Sequence, residues 1–431
     1  MARADDSSRR GQYEGLRRLG GEMQSTTPPR RTLGRSSEGM DPSVPPPSRR
    51  SRRRPRIGRL LLVGLVMVVL VGAGSVAYLG WRYGQIPTVS VAGLAPVVDG
   101  QPINVLVVGS DSRAGLTGQM AAQAGASQVI GQRSDVVMVW HLDPGSGAAQ
   151  ILSIPRDTMV SMGPLTSTEG RFNRINTAFG SGPGPLAQII EANFGIPLNH
   201  VVQVDFAGFV EATDALGGVS MNFPYPARDA YSGLSITTPG CQRLDGTQAL
   251  AVARSRHYEY LVNGTWESDG SSDFGRIHRQ GAFLRALTSA AKNQLNPLAL
   301  NSFLGSIPKG VTADSGLSFL DAIDLAWHYR SIDPGVLSTQ TLPTTGVGTS
   351  TWGDVLFVTQ PASQQVLVSM FGTQLMAPTT PPPDTSLSTP APPSVMPTTL
   401  PATTTGGGGR SPAPVTTTTQ PPFDPSPCPA A

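Results

Sequence analysis

The stretch INVLVVGS, Ile103–Ser110, is an apolar run of strand length that ends in a glycine and a serine. Two more apolar runs follow it, SDVVMVWHLD at 134–143 and AQILSIP at 149–155. The sequence PGSG at 144–147 lies between these two runs and predicts a hairpin connection. Three strands at this spacing, two of them joined by a hairpin, predict a central β-sheet around which the remaining chain folds.

The sequence beyond this sheet changes to helical periodicity. In GPLAQIIEANF, 184–194, apolar residues recur at Leu186, Ile189, Ile190 and Phe194, which matches 3.6 residues per turn. VVQVDF at 201–206 predicts a buried strand. Further helical patterns occupy 207–218, 244–254, 276–295 and 317–332. Strands interleaved with helices predict an α/β (α+β) fold with a mixed central β-sheet flanked by helices.

The two ends of the chain have a different composition from this folded part. Residues 1–59 are rich in Ser, Pro and Arg, and residues 373–431 are mostly Thr, Pro, Ser and Gly. Such segments bury too little apolar surface to offset chain entropy, so both are predicted to be disordered. The sequence thus predicts a stem at 82–102 and one folded domain at 103–372.

A membrane-spanning helix is predicted at 60–81, where LLLVGLVMVVLVGAGSVAYLGW contains no charged residue. A bilayer core needs about 20 apolar residues in a helix. A cleaved signal peptide is the alternative, but its apolar part is shorter and lies nearer the N-terminus. Residues 1–59 carry 15 arginines against six acidic residues. The positive-inside rule therefore predicts a single-pass type II protein of the cell membrane, with a cytoplasmic N-terminus and an extracytoplasmic domain.

The basic N-terminal segment also bears on possible partners. It contains one aromatic residue, Tyr13, and no recognisable nucleic-acid-binding motif. Attraction to anionic lipid headgroups explains its charge better than binding to nucleic acid. We therefore expect a membrane partner and no nucleic acid.

Five short clusters concentrate arginine and aspartate in a chain with only 14% charged residues. They are GSDSR at 109–113, RSD at 133–135, PRD at 155–157, RSR at 254–256 and DFGRIHRQ at 273–280. Arginine binds phosphate oxygens in a fork, and a neighbouring carboxylate can hold a divalent cation that bridges those oxygens. Together the clusters predict a polyanion site, with pyrophosphate the favoured ligand outside the membrane.

Each cluster also has a structural interpretation when it is taken alone. GSDSR fits a turn, and RSD fits a surface ion pair at a strand end. Asp273 fits an N-cap that precedes a helix. In PRD one side chain faces the site, and Arg156 is the one assigned to phosphate.

Other kinds of site receive no support from the sequence. It contains no CxxC, HExxH or GxSxG motif, which argues against the corresponding redox, zinc and hydrolase sites. Cys241 and Cys428 are the only cysteines. A disulfide between them would need the C-terminal segment to fold back, and the sequence leaves that pairing open.

The clusters, in their order along the chain, resemble those of the LytR-CpsA-Psr family of membrane-anchored cell-envelope proteins. The similarity runs from about Ile103 to Leu295 and includes VLVVGSDSR, RSDVVMVWHLDP, ILSIPRD, RFNRINTAFGSGP, VVQVDFAGFVEATDALGGV, LDGTQALAVARSR and DFGRIHRQ. Two departures stand out: an insertion at 258–272 separates RSR from DFGR, and the chain after about Asn296 matches weakly.

The resemblance implies a phosphotransferase (transferase) that moves a glycan from a polyprenyl-pyrophosphate carrier onto peptidoglycan in cell wall biogenesis. It implies a divalent cation, Mg²⁺ or Mn²⁺, and an apolar tunnel for the polyprenyl chain, to which the helix 184–194 and the strand 201–206 are expected to contribute. The implied metal ligands are Asp111 and Asp135. The implied catalytic residues are Arg156, Arg254, Arg256, Asp273, Arg276 and Gln280. The expected substrate-binding residues are Arg113, Arg133 and Arg279.

Two other functions remain open at this point: a polyprenyl-pyrophosphate hydrolase, and a non-catalytic module that binds or senses a lipid-linked glycan. The general base is unassigned, with Asp111 and Asp157 as candidates. The 30 arginines against two lysines suggest a GC-rich actinobacterial source, for which arabinogalactan is the natural glycan and teichoic acid or capsule the alternative.

Overall fold

A computed structural model describes residues 57–110, 134–293, 297–329, 332, 337–349, 352–380 and 421–429. The helices are α1 Ile57–Tyr83, α2 Thr166–Glu169, α3 Ile175–Ala178, α4 Pro183–Phe194, α5 Phe206–Ala215, α6 Gly246–Arg254, α7 Ser272–Asn293, α8 Pro297–Ser306, α9 Phe319–Tyr329 and α10 Ala362–Phe371, with 3₁₀ turns at Gly163–Leu165, Phe179–Ser181 and Ile307–Lys309.

The strands are β1 Thr88–Val89, β2 Ile103–Ser110, β3 Ser134–Asp143, β4 Ala148–Ser153, β5 Met159–Ser161, β6 Phe172–Arg174, β7 His200–Val204, β8 Val219–Phe223, β9 Ala227–Asp229, β10 Leu234–Ile236, β11 Gly240–Leu244, β12 Glu259–Val262, β13 Thr265–Ser268, β14 Val311–Asp314, β15 Ser338–Thr341, β16 Thr344–Thr349, β17 Gly353–Val358 and β18 Ser426–Pro427.

The largest sheet has seven strands in the order β1-β14-β7-β2-β3-β4-β15. It is mixed, because β2 pairs antiparallel with β3 and parallel with β7. The turn at 144–147 joins β3 to β4 as an antiparallel hairpin, as predicted. The prediction of a mixed central sheet flanked by helices is thus confirmed.

The two faces of this sheet have different surroundings, because successive residues of a strand point to opposite sides. On one face Leu106 and Val137 are buried in a core that α4 completes through Leu186 and Ile190. The residues next to them in sequence, such as Val107, line a cavity on the opposite face. The expectation that the helix 184–194 lines this cavity is therefore wrong, since its apolar stripe packs in the core on the other side.

A second group of strands packs beside the central sheet. A four-stranded sheet, β10-β9-β12-β13, and a three-stranded sheet, β11-β8-β18, share a core with α6 and α7 that includes Phe223, Val252 and Phe283. The segment 258–272 supplies the hairpin β12–β13. Its turn residues Asn263 and Gly264 both have positive φ, of 51° and 80°, as a two-residue hairpin turn of this sequence requires.

The close approach of the 3₁₀ turn before β14 to α5 depends on two glycines. A Cβ on Gly208 would lie 2.5 Å from the carbonyl carbon of Gly310, well inside contact distance. Only glycine allows this approach. It holds Ile307, which lines the cavity, close to α5.

The C-terminal segment, residues 421–429, folds back onto the second group of strands. Its strand β18 pairs with β8, and Cys428 forms a disulfide with Cys241. Phe423 stacks on Tyr260 with ring centroids 4.4 Å apart. The sequence predicts disorder throughout 373–431, and the structure differs here because the disulfide and these contacts compensate for a composition poor in apolar residues. Residues just after 372 are ordered as well, since Ala377 is buried in the main core.

Helix α1 contains the predicted span. Leu65–Tyr83 is long and apolar enough to cross a membrane by length and composition, and none of its apolar window is buried in protein. Its last turn contacts the folded domain, where the Tyr83 hydroxyl donates to the carbonyl of Leu317 at 2.8 Å.

Candidate functional site

A cavity of about 870 Å³ lies between the central sheet and helices α5 to α9. Its walls are mostly aliphatic and aromatic, with Met138, Trp140 and Leu142 of β3 facing Phe283 and Leu287 of α7. Cavity-lining residues on β3 run from Asp135 to Leu142, a distance of about 23 Å at the rise of a strand. The cavity is thus an elongated apolar space with a charged group at one end.

Arginines surround that charged end. Arg156, at the exit of β4, and Arg276, in the first turns of α7, both line the cavity together with Asp135. Asp135 Oδ1 lies 2.6 Å from Arg156 Nη1 and 3.9 Å from Arg276 Nη1. Arg276 Nη2 also donates to the Asp135 backbone carbonyl at 2.9 Å. Both arginines are therefore held against the start of β3.

Asp273 links the arginines of three separate segments. Its Oδ1 lies 2.9 Å from Arg276 Nη2, 3.3 Å from Arg256 Nε and 3.9 Å from Arg156 Nε. Helix α7 begins at Ser272, so Asp273 lies in its first turn and is not the N-cap residue that the structural interpretation required. Because the helix begins one residue before Asp273, the Asp273 carboxylate does not cap the helix and instead contacts the arginines.

The segment RSR is fixed by a buried carboxylate that sequence reasoning missed. Asp229 Oδ2 accepts from the Ser255 hydroxyl at 2.7 Å and from the backbone N–H groups of Arg256 and His257 at 3.0 and 2.9 Å. Burial alone would raise the pKa of Asp229, but these hydrogen bonds hold it below its ordinary value. With Ser255 buried, Arg254 and Arg256 on either side of it both line the cavity.

Arg254 and Gln280 complete the predicted set on the cavity wall. The Arg254 guanidinium lies over the Phe206 ring, 4.8 Å from its centroid. Gln280 follows Arg276 by one helical turn, lines the cavity and donates to the carbonyl of Ala253 at 3.0 Å. The structure therefore brings together Asp135, Arg156, Arg254, Arg256, Asp273, Arg276 and Gln280.

Arg279 lies elsewhere, although its neighbours on α7 face the cavity. Its side chain is fully buried, and its Nη1 lies 2.7 Å from a carboxylate oxygen of both Asp269 and Asp424. Its Nη2 donates to the carbonyl of Ser255 at 3.0 Å. A guanidinium held in this way is not exposed to a ligand, so the structure does not support the predicted substrate-binding role and gives Arg279 a supporting one behind RSR.

The electrostatic environment of the site favours an anionic ligand. Burial lowers the pKa of the Arg276 guanidinium, even with Asp273 and Asp135 beside it. Burial alone would also lower the pKa of Arg156, but neighbouring carboxylates, Asp135 first, raise it above its ordinary value. Four arginines line the cavity, against Asp135 and Asp205 in its lining and Asp273, which contacts three of these arginines. This excess of positive charge against a low-dielectric wall suits a phosphate or pyrophosphate.

Several predicted site residues lie outside the described part of the chain: Asp111, Arg113 and Arg133. The two strands that flank this gap stay paired at its edge, where Ser110 pairs with Ser134 and the register shifts between Gly109 and Ser110. The described residues contain no group of three or more His, Cys, Asp or Glu side chains that could hold a metal ion. Asp135 is thus the single predicted metal ligand whose position is described.

Asp157 and Arg174 form a second layer behind the site. Asp157 lies 3.4 Å from Arg156 Nε and 3.6 Å from Arg174 Nε. Arg174 also donates to the carbonyl of Asp354 at 3.2 Å. Sequence reasoning did not select Arg174 or Asp229, although RFNR at 171–174 contains the same arginine-rich signal as the five clusters.

Comparison with known proteins identifies one family and relatives that are named for roles in the cell wall. The profile of the LytR_cpsA_psr family matches residues 87–371. The chain is 29% identical to a probable cell wall biosynthesis protein, LcpB, of Corynebacterium glutamicum over 73% of this chain and 70% of that protein. It is 28% identical to the polyisoprenyl-teichoic acid–peptidoglycan teichoic acid transferase TagU of Enterococcus faecalis, over 54% of this chain and 67% of that protein.

Among solved structures, a LytR-Csp2A-Psr enzyme from Actinomyces oris superposes with a TM-score of 0.53 at 26% identity. The superposition covers 66% of this chain and 96% of that one.

Proposed function

Because the chain belongs to the LytR_cpsA_psr family, we propose that it is a membrane-anchored phosphotransferase that moves a glycan from a polyprenyl-pyrophosphate carrier onto peptidoglycan. One observation carries the proposal: a long apolar cavity ends at a cluster of arginines. The ligand that fits such a site has an extended apolar chain and a polyanionic head. A polyprenyl pyrophosphate has both parts.

We infer the orientation of the protein from its charge and from helix α1. The arginine-rich residues 1–59 remain in the cytoplasm, α1 spans the membrane, and the domain after it faces the cell wall. In this orientation the cavity is on the side of the membrane where peptidoglycan lies.

The chemistry we propose is substitution at phosphorus. A hydroxyl of peptidoglycan, that of muramic acid in our proposal, forms a new P–O bond to the glycan-proximal phosphorus while the bridging P–O bond breaks. Polyprenyl phosphate leaves, and the proton of the attacking hydroxyl passes to it. Arg156, Arg256 and Arg276 converge on one end of the cavity and would neutralise the charge that develops on the leaving group. Asp273 acts through them, since it holds all three in place.

We propose that Asp135, together with Asp111 and the substrate phosphates, holds a divalent cation of the Mg²⁺ or Mn²⁺ type. Mg²⁺ is commonly bound by one or two carboxylates together with substrate phosphate oxygens. Asp135 faces the cavity beside the arginines, and Asp111 directly follows Ser110, whose partner Ser134 precedes Asp135. When bound, the cation would supply further charge neutralisation on the phosphates. We expect Asp135→Asn to raise the Mg²⁺ concentration that gives half-maximal transfer.

The test uses the full-length protein in vesicles with a polyprenyl-pyrophosphate-linked glycan and peptidoglycan. Appearance of glycan on peptidoglycan supports transfer. Release of phosphate or lipid monophosphate without a glycan–peptidoglycan bond would instead identify a hydrolase, and binding without turnover a sensing module.

Arg256→Ala is the most informative variant, because Arg256 reaches the cavity and its side chain is one-third exposed, so the fold tolerates its loss. We expect transfer to fall on the order of 10²-fold, the usual cost of one transition-state donor. Arg228→Ala is the matched control, since Arg228 pairs with Glu259 on an exposed surface away from the cavity. Equal transfer by the two variants would refute the assignment.

A further inference from the structure

Helix α9 has an apolar stripe on its outer side. Leu320, Ile323 and Trp327 follow one another at spacings of three and four residues, so they share a face of the helix. They are 70%, 41% and 63% exposed, respectively. Asp321, Asp324 and His328 form a separate polar stripe beside them. The helix is therefore amphipathic on the side that faces away from the domain.

The inner side of the same segment forms part of the cavity wall. Ala322 and Leu325 line the cavity, as does Leu317 just before the helix. The cavity and the outer apolar stripe of α9 are thus on opposite sides of one helix, and the cavity wall here is one helix thick.

Helix α9 starts where the membrane-spanning helix ends. The rings of Phe319 and Tyr83 are 5.6 Å apart, and a Cβ on Gly80 would touch the Phe319 ring at 3.4 Å. Tyr78 and Trp81 on this last part of α1 are 45% and 60% exposed, which is the position of an aromatic belt at a membrane–water interface. The start of α9 is therefore at the level of the outer interface.

A neighbouring part of the cavity wall adjoins the same end of α1. The Tyr78 hydroxyl donates to Asn301 Oδ1 at 2.9 Å, and Arg82 Nη2 donates to the Asn301 carbonyl at 3.4 Å. Phe303, two residues further along α8, lines the cavity. Two wall segments, α8 and α9, thus flank the outer end of the span.

We propose that the outer stripe of α9 docks in the outer leaflet of the bilayer, so that the cavity lies one helix away from the acyl chains. The inference rests on the proposed function for the identity of the lipid, but the docking itself does not depend on it. An amphipathic helix with a polar flank lies in the interface with its apolar face buried. A polyprenyl chain then passes from the leaflet into the cavity without crossing water.

Fluorescence quenching tests the docking directly. The full-length protein is reconstituted in phosphatidylcholine vesicles that contain a phosphatidylcholine with a doxyl quencher near the headgroup. We expect Trp327→Phe to remove a large part of the lipid-dependent quenching, whereas Trp266→Phe, in the hairpin β12–β13, removes none. Unchanged quenching in Trp327→Phe would overturn the proposal.

Transfer kinetics test its consequence. The triple variant L320S/I323S/W327S should transfer glycan from a vesicle-embedded long-chain carrier on the order of tenfold more slowly. With a short, water-soluble prenyl carrier it should match the wild type, because its cavity and arginines are intact. The control is V368S/M376S, which removes two other exposed apolar side chains that do not line the cavity.

The outcomes separate the two proposals. If the wild type transfers glycan and the triple variant equals it with both carriers, α9 does not dock. If the wild type transfers from neither carrier but Trp327 is quenched, the docking stands and the proposed function fails.

Discussion

The buried contact between Asp424 and Arg279 gives a stability prediction with an unusual sign. Two carboxylates, Asp269 and Asp424, share one guanidinium nitrogen at 2.7 Å each. His278 Nδ1 lies 3.9 Å from Asp424, but burial, with Arg279 next to it, lowers the pKa of His278 and keeps it neutral near pH 7. One positive charge thus faces two negative charges in a buried space, which disfavours ionisation of the second carboxyl.

The magnitude follows from the pKa of Asp424. Burial raises this pKa from 3.8 to about 6, although Arg279 acts in the opposite direction. The difference corresponds to about 3 kcal/mol. Since the folded pKa exceeds the unfolded one, the folded protein binds the proton first. This contribution to the free energy of unfolding is fully present below about pH 4 and is lost as the pH rises through about 6.

Asp424→Asn keeps the shape and a hydrogen-bond acceptor for Arg279 but cannot ionise. We expect its free energy of unfolding, relative to the wild type, to rise by about 2 kcal/mol between pH 4 and pH 7, most of the full contribution. Chemical denaturation of both full-length proteins in detergent at several pH values measures this difference. Titrating groups that do not contact Asp424 or Arg279, such as Asp205 with its raised pKa, cancel in it. If the free energy of unfolding depended on pH in the same way for both proteins, or if the difference had the opposite sign, the ion pair would outweigh the cost of burial. Either result would refute the reasoning.

Three further predictions concern the fold and the cavity. Cys428→Ser opens a covalent loop between residues 187 positions apart and should lower the free energy of unfolding by up to about 5 kcal/mol; denaturation identical to the wild type would contradict this. Gly208→Ala places a methyl group against Gly310 and should cost about 1–3 kcal/mol in the same assay, whereas Gly147→Ala, at an open turn, serves as the milder control. Ala212→Trp fills part of the cavity and should raise the KM for a long-chain carrier more than for a short-chain one, and an equal effect on both would argue that the chain binds elsewhere.

The sequence predicted the central sheet because its signals are local. Strand runs, the turn at 144–147 and the 3.6-residue period of α4 each occupy fewer than about 15 residues, and packing then follows from their apolar faces. The side of the sheet on which α4 packs could not be predicted. Its apolar stripe could pack on either face of the sheet, because β2 and β3 carry apolar residues on both faces.

The hairpin β12–β13 is a case in which a local signal was present and not used. Asn263-Gly264 between two strand-forming segments is a strong hairpin signal. Composition rich in glycine and serine led instead to the interpretation of 258–272 as an insertion. The hairpin carries Glu259, whose neighbour Tyr258 is buried against Arg279, so the segment belongs to the support of the site.

The sequence predicts that the arginine clusters form one site, but it does not predict which arginines face the ligand. The reason is physical. On α7, Arg276 and Arg279 are three residues apart, and sequence spacing gives both a place near the site. Their roles differ because Asp424, more than 140 residues away, occupies the side of the helix on which Arg279 lies. Such a distant partner leaves no periodic signal.

Helix α7 therefore connects the cavity to the C-terminal segment. One side of it presents Arg276 and Gln280 to the cavity, and the other presents Arg279 to Asp424. Arg279 also holds the carbonyl of Ser255, the residue between Arg254 and Arg256. Displacing the C-terminal segment would leave Arg279 with Asp269 as its carboxylate partner and loosen the support of RSR while the cavity wall stays in place. A change confined to the far end of the chain should consequently affect how the phosphates are held more than how the apolar chain binds.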